Sequence, residues 1–554
     1  MTEATVRQPW DQVRSFLERV WNREDVQFIA HCVVLLAMMV VLRPMFTALV
    51  PSSDYRAPSI LWELLRDDVA GVVTAARSKR PTVPSLLFLV VPTAAFLLAG
   101  LKIRWEQWEY GKALRNLIIA LLAILAWSGA TFPYNMYLNQ GHFLDRAALI
   151  AFTGLSWRFP LALPFAVRWA WVMLRESYVP IFLDDFDFRA LHEVMVVAAC
   201  FVWASFIRTM KPAHFLLVGL GVWASYYYAA GVAKVFYGPT WSWLVDDHLS
   251  NLSFGAYVRG WVGFIPETTF VAINDFMRHL DFPLAVFTLV FELGALFGFF
   301  INRRLAQVWT ALAFIFQFGI FVMTGICFWK WMLTNLAFFV FLSRGGAPIY
   351  NQMSRYKLVT LFAIAMVFFS REKIYFNPQT GVAWYDTRMV ENYTLHAVGQ
   401  SGESYLISPQ WLSPMDMHFV QGRLCYATNE RSVTSIYGVT GNYNAMMALE
   451  SLENAEDALA LANRGRRCND PTGRKHFEDF FKTYFGNLNK HGRKHRWVAW
   501  LGRPDHLWVQ PRGNLYDMQE PVSRVELWRE IVVKHEGEVH RFDKRRVKVV
   551  EIPD

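Results

Sequence analysis

Through residues 28–370 apolar positions come in long runs, with polar residues confined to short connections between them. About 20 consecutive apolar residues in a helix cross the roughly 30 Å hydrocarbon core of a bilayer. The runs predict spans near 28–50, 85–102 and 117–132. A further apolar stretch ends at Leu174 and is interrupted by Pro160 and Pro164, which break helices. Runs at 193–209, 214–237, 283–301, 305–327 and 329–343 follow, with a short one at 357–370. These are ten candidate segments, eight to ten spans if one or two are re-entrant. Residues 239–282 alternate aromatic and polar positions and predict irregular chain with short helices.

Ahead of the first run, Trp10, Val13, Phe16, Leu17, Val20 and Trp21 recur at helical spacing, with Asp11, Arg14, Ser15, Glu18 and Arg19 between them. Residues 1–26 therefore read as an amphipathic helix, lying on a membrane surface or packed on the bundle. They carry acids as well as bases and no apolar core, unlike a cleavable signal. Beyond residue 370 the pattern turns polar. Met446, Leu449, Leu452 and Leu459 keep helical spacing within 446–463, opposite an acidic face of Glu453, Glu456 and Asp457. Residues 525–552 alternate apolar and polar, which predicts two or three strands joined at Glu536-Gly537. The expected fold is a polytopic α-helical membrane protein, residues 27–370, followed by a soluble α+β domain, residues 371–554.

Composition agrees with that class. The 554 residues are 54% hydrophobic and 16% aromatic, with 23 Trp, 21 Tyr and 45 Phe. The net charge of +9 suits anionic headgroups, and no basic arm interleaves with a nucleic-acid motif. Nucleic acid is therefore not expected as a partner; membrane lipids are. Lys102, Arg104, Lys112 and Arg115 flank the turn before the third span, and by the positive-inside tendency that turn is cytoplasmic. Cys32, Cys200 and Cys327 lie in apolar runs, where cysteine acts as a small hydrophobe. Cys425 and Cys468 fall in the polar part, which allows one disulfide there. No metal site is expected: CxxC is absent, and His491 and His495 lack an acidic or cysteine partner. Walker A, GxSxG, HExxH and GxGxxG motifs are also absent.

Four polar residues in or beside apolar runs carry the candidate chemistry. Lys234 sits in Tyr226-Tyr-Tyr-Ala-Ala-Gly-Val-Ala-Lys234, just before Gly238-Pro239 ends the helix. An ammonium at membrane depth costs several kcal/mol unless it is paired, wet or neutral. Lys234 is either a snorkelling anchor or a desolvated base. Glu292 lies deep in the run Val290–Leu296 and must pair or take a proton; Lys234 and Arg303 are its candidate partners. Lys330, between Trp329 and Trp331, reads as an interface marker. His142 opens an apolar segment beside Asn139 and Gln140, as a cap or a functional group.

The segment Tyr228-Ala-Ala-Gly-Val-Ala-Lys-Val235, with Trp241-Ser-Trp243 after it, resembles the signature of vitamin K-dependent γ-glutamyl carboxylase and its bacterial HTTM (horizontally transferred transmembrane) relatives. Asn139-Gln-Gly-His142 resembles the family's Asn-His element, and Phe291-Glu-Leu-Gly with Asn302-Arg-Arg304 resembles its paired-basic stretch. The resemblance covers residues 10–345. It departs at Gln317, where the family usually has histidine, and at Gly141, where the carboxylase has asparagine. The C-terminal residues do not resemble the carboxylase's luminal domain.

The resemblance implies a reduced naphthoquinone as cofactor, epoxidised as a glutamate is carboxylated. It implies Lys234 as the base and His142 as a group stabilising the reacting species. Glu292 joins these two as a candidate catalytic residue. Tyr226, Tyr227, Trp241, Trp243 and Gln317 are the candidate cofactor-binding residues. It further implies a bacterial inner-membrane setting and a peptide or protein substrate. The alternative is a non-catalytic lipid- or quinone-binding membrane protein, or a subunit of a membrane complex. A transporter is disfavoured because no inverted repeat is evident.

Overall fold

The computed structural model describes residues 18, 20, 23–47, 103–131, 143–176, 186–207, 210–378, 383–412, 424–435, 437–467, 469–492 and 501–553. The N-terminal amphipathic segment falls almost entirely outside these residues, and the span at 85–102, His142 and the His491/His495 pair fall wholly or partly outside them.

The helical part contains α1 (Glu24–Thr47), α2 (Gly111–Ala130), α3 (Phe143–Arg158), α4 (Leu163–Glu176), α5 (Phe186–Ile207) and α6 (Pro212–Val235). After it come α7 (Ser250–Val258), α8 (Glu267–Arg278), α9 (Asp281–Gly298), α10 (Arg303–Thr324), α11 (Trp329–Ser343), α12 (Ala347–Ser354) and α13 (Lys357–Phe369). Six of these, α1, α2, α5, α6, α9 and α10, are long and apolar enough to cross a membrane. The bent pair α11 and α12, meeting at 86°, makes up to seven. Of the other candidate segments, 85–102 lies outside the described residues, α11 has 15 residues before it bends into α12, and two more are cut short locally. The apolar stretch up to Leu174 is split by a 3₁₀ turn at Pro160–Ala162, so α3 and α4 are each too short. α13 is short because the chain leaves the bundle at Ser370–Glu372.

The helix ends follow from local chemistry. Pro212 opens α6, and the Lys211 backbone N–H donates to His214 Nδ1 at 3.0 Å. Asn302 caps α10 by accepting the Leu305 N–H at 2.9 Å, and Gly325, at φ 71°, ends it.

α3 and α4 run antiparallel. Trp169 Nε1 donates to the carbonyl of Asp145 at 2.9 Å, although a continuous helix would hold these residues about 36 Å apart. Arg146 at the start of α3 bonds the carbonyl of Ala130 at the end of α2. The hairpin therefore returns the chain to its starting side, and α3 begins at the end of the bundle where α6 finishes. At the opposite end Trp105 donates to Ser156 O, Gln352 to Glu109, and Tyr350 to Phe299 O. Arg104, Lys112, Arg115, Arg158, Lys211, Arg303, Arg304, Arg344, Arg355 and Lys357 gather at that opposite end, at helix starts and stops.

The C-terminal part holds β1 (Tyr385–Asp386), β2 (Met389–Gly399), β3 (Ser404–Leu406), β4 (Arg431–Ser432), β5 (Val439–Thr440), α14 (Tyr443–Glu450), α15 (Glu456–Asn463), β6 (Arg466–Arg467), α16 (Pro471–His491), β7 (Val522–His535) and β8 (Glu538–Glu551). Strands β3-β2-β7-β8 form an antiparallel sheet, and β1–β5 and β4–β6 form two small ribbons. The β7–β8 hairpin turns at Glu536-Gly537, both with positive φ, as a two-residue turn of matching twist requires. The single helix expected over 446–463 is two. α14 stops after Glu450, and Asn454 Oδ1 accepts the Asp457 N–H at 3.0 Å to start α15. Cys425 is disulfide-bonded, whereas Cys32, Cys200 and Cys327 are buried free thiols.

This domain sits on the end of the bundle where α6 finishes. Tyr385 OH donates to Tyr237 O at 2.7 Å, Tyr437 OH to Thr324 O at 3.1 Å, and Trp127 Nε1 to Leu501 O at 2.6 Å.

Candidate functional site

Lys234 lies in the last turn of α6, and α9 packs beside it. Gly231, one turn earlier, allows that approach: a Cβ there would stand 2.9 Å from Glu292 Cβ and 3.1 Å from Leu293 Cγ. The two helices close enough for Lys234 Nζ to donate to both carboxylate oxygens of Glu292, each at 2.7 Å. Of the two candidate partners for Glu292, the structure selects Lys234; Arg303 instead donates to Leu342 O. Lys234 Nζ also stands 5.4 Å from the ring centroid of Trp243.

The pair forms part of the wall of a cavity of about 590 Å³, within the usual range for small-molecule sites. Helices α6, α9, α10 and α11 build the bundle side, with Tyr226, Phe287, Phe316 and Trp331 among their contributions. Trp384, Asp386, Tyr437 and Thr440 close it from the C-terminal domain. Phe287 and Ile315 line the cavity and are also exposed on the outer surface, so the cavity reaches that surface between α9 and α10.

The candidate residues divide as follows. Lys234, Glu292, Tyr226, Tyr227, Trp243 and Gln317 all line this cavity. Tyr226 OH donates to Glu193 Oε2 at 3.0 Å, and Arg43 donates to Glu193 Oε1 at 2.7 Å, so this tyrosine is held by a buried ion pair. Tyr227 OH accepts from Asn335 Nδ2 at 2.9 Å, and Asn335 Oδ1 accepts from Trp223. Trp241 is not brought to the site. It is 48% exposed, takes a left-handed backbone conformation, and begins the turn that swings Trp243 inward. Lys330 is buried rather than interfacial, because residues 501–509 cover the start of α11. His142 lies outside the described residues; Phe143, which follows it, starts α3 at the end of the bundle that holds Lys234.

Pattern reading missed Asp386, Trp384, Tyr437 and Trp331. Three of them come from the polar domain, in short elements with no periodicity. The aromatic-flanked acid in Trp384-Tyr385-Asp386 was the one local signal.

Three buried polar atoms on the cavity wall have no hydrogen-bond partner among the described residues: Gln317 Oε1, Trp331 Nε1 and Asp386 Oδ1. Buried polar groups are nearly always satisfied, so three orphans on one cavity indicate a place where a polar ligand or solvent bonds. They are an acceptor, a donor and a carboxyl, set on largely aromatic walls. Among the described residues, no cluster of His, Cys, Asp and Glu could hold a metal ion.

Comparison with known proteins gives no relative: no family model matches the chain, and neither the curated proteins nor the solved structures contain a match.

Proposed function

We propose that this chain is an integral membrane enzyme that carries out acid–base chemistry on a membrane-soluble, oxygen-bearing ring, with Lys234 as the base. The observation that carries this reading is the Lys234–Glu292 pair on the wall of a large aromatic cavity. The ammonium–carboxylate pair is the form reached after proton uptake. The base form is the neutral amine beside the Glu292 carboxylate. Glu292, bonded to Nζ through both carboxylate oxygens, is placed to stabilise the ammonium as it forms. Trp243 and the largely apolar walls from α9 and α10 surround the pair with weakly polarisable side chains, which strengthens its electrostatics. Access between α9 and α10 suits a ligand that arrives from the bilayer.

The family resemblance implies a reduced naphthoquinone as the ligand, and the orphaned Gln317 and Trp331 atoms suit its ring hydroxyls. When bound, such a quinol supplies an ionisable hydroxyl and an oxygen-reactive ring. Gln317 and Trp331 orient it, and Lys234 takes a proton from a hydroxyl placed against Nζ. Carboxylation of a peptide glutamate and a bacterial inner-membrane setting belong to the same proposal.

The test is quinol turnover by the full chain in lipid nanodiscs. Lys234→Met should lower the rate by at least about a hundredfold, the usual share of a general base, while the protein still inserts. Equal turnover by the variant overturns the base role. The bidentate closure of the pair favours one second reading, a binding protein in which Lys234 is only a charged anchor. That reading expects ligand retention without turnover.

A further inference from the structure

Asp386 is the ionisable member of the three orphaned groups on the cavity wall. It is 1% exposed and projects from the C-terminal domain, whereas Lys234 and Glu292 come from the bundle. Beside it is a second buried carboxyl, Asp247, at 3% exposure. Asp247 Oδ1 accepts the backbone N–H of Asp386 at 2.7 Å, and Asp247 Oδ2 has no hydrogen-bond partner among the described residues. We propose that Asp386, backed by Asp247, is a proton-bearing acid of the cavity that donates a hydrogen bond, and then its proton, to an oxygen of the bound ligand. The inference rests on reading the cavity as an acid–base site, and it names the group opposite in role to Lys234.

The surrounding charges explain why a proton stays there. On α6, Lys234 is bonded to both oxygens of Glu292. On α9, Asp281 accepts the N–H and the hydroxyl of Ser250 at 2.8 Å each. Between α6 and α7, Asp246 accepts from Tyr443 OH of α14, and His248 lies 3.4 Å from Asp281. Arg278 of α8 and Arg388 after β1 both donate to Glu450 of α14, at 3.1 and 3.0 Å. The neighbouring lysine and arginines are thus committed to Glu292 and Glu450. Two buried carboxylates without a cation of their own cannot both ionise cheaply. Burial lifts both carboxyls well above the ordinary aspartate range, and Asp247 lifts Asp386 further. Burial and mutual repulsion therefore both favour a retained proton, and the pair titrates as a unit.

The step balances simply. The O–H bond of Asp386 breaks, a negatively charged ligand oxygen gains the proton, and Asp386 is left as a carboxylate beside an Asp247 that keeps its own proton. Reprotonation comes from solvent.

The experiment uses the full chain in lipid nanodiscs. Infrared spectra of ligand-free protein should contain a protonated-carboxyl stretch at neutral pH. Asp386→Asn should remove or shift it, and so should Asp247→Asn. A spectrum without that band, or one unchanged in both variants, overturns the proposal. Because no turnover is involved, this outcome is independent of the fate of Lys234. Binding of a tail-less naphthoquinol supplies the second readout. Asp386→Asn keeps a donor and should bind within a few-fold of the native chain. Asp386→Leu should bind about tenfold more weakly, the value of one buried hydrogen bond. Equal binding by the leucine variant overturns the contact with the ligand.

Discussion

At the scale of single residues, the site sets three carboxyl groups and one amine in different states by their surroundings alone. Glu292 is paired with Lys234; burial and mutual repulsion raise Asp247 and Asp386 above the ordinary aspartate range. The same logic gives a pH dependence of stability. Asp247 and Asp386 are raised from an ordinary value of 3.8, so the folded chain binds more protons than the unfolded chain above that pH. Their contribution is fully present below the unfolded value and is lost as pH rises through the folded one. Glu450 has the opposite sign. Burial acts to raise it, but Arg388, His248 and Arg278 together hold it below 4.5, so its contribution is lost as pH falls. Melting of the full chain should therefore show a smaller loss of stability from acid to neutral pH in Asp386→Asn than in the native chain. Parallel curves for the two would contradict the shared proton.

At the scale of elements, the site depends on one close helix contact. Gly231→Ala places a methyl group against Glu292 and should cost about 1–3 kcal/mol by overpacking. Gly231→Leu should separate α6 from α9 and reduce quinol binding along with thermal stability. A leucine variant as stable as the native chain would show that the helices are not held in contact there. In the sheet, β2 and β7 bury a complete ion pair. Arg529 Nη2 donates to Glu391 Oε2 at 3.2 Å, while Glu391 Oε1 accepts the N–H groups of Val433 and Thr434 at 2.6 and 3.0 Å. Glu391→Ala leaves the buried guanidinium only the partly exposed Asp543, 3.6 Å from Nη1, and the Arg431 carbonyl, and should destabilise the domain by about 3–5 kcal/mol. Chemical denaturation should show that loss, and the double change Glu391→Leu with Arg529→Met should recover much of it.

At the scale of the whole molecule, charge and cysteine chemistry agree about sidedness. Ten of the arginines and lysines at helix ends lie at the end of the bundle away from the C-terminal domain. Positive residues favour the cytoplasmic face. The C-terminal domain, at the other end, carries the disulfide at Cys425, and such bonds persist in oxidising compartments. The cavity mouth and the domain are therefore expected on the non-cytoplasmic face. A membrane-impermeant probe should reach a cysteine placed at the exposed Gly402 in intact cells, and should not reach one placed at Arg355. The reverse labelling would invert the topology.

Hydropathy periodicity alone was enough to recognise a set of long apolar helices followed by a polar domain, because long apolar runs and short alternating patterns belong to different elements. The β7–β8 hairpin was legible from alternation and a Glu-Gly turn, both local properties. Lys234 and Glu292 stood out because a charge in an apolar run needs a partner. Which partner Glu292 takes was a tertiary matter, since it depends on how closely α6 and α9 approach at Gly231. The hairpin of α3 and α4 was tertiary too: two prolines mark a break but leave the direction of the returning chain open. Asp386 and Asp247 were invisible beforehand, because an aspartate in polar sequence looks solvated until the domain folds down on the bundle and buries it beside the cavity.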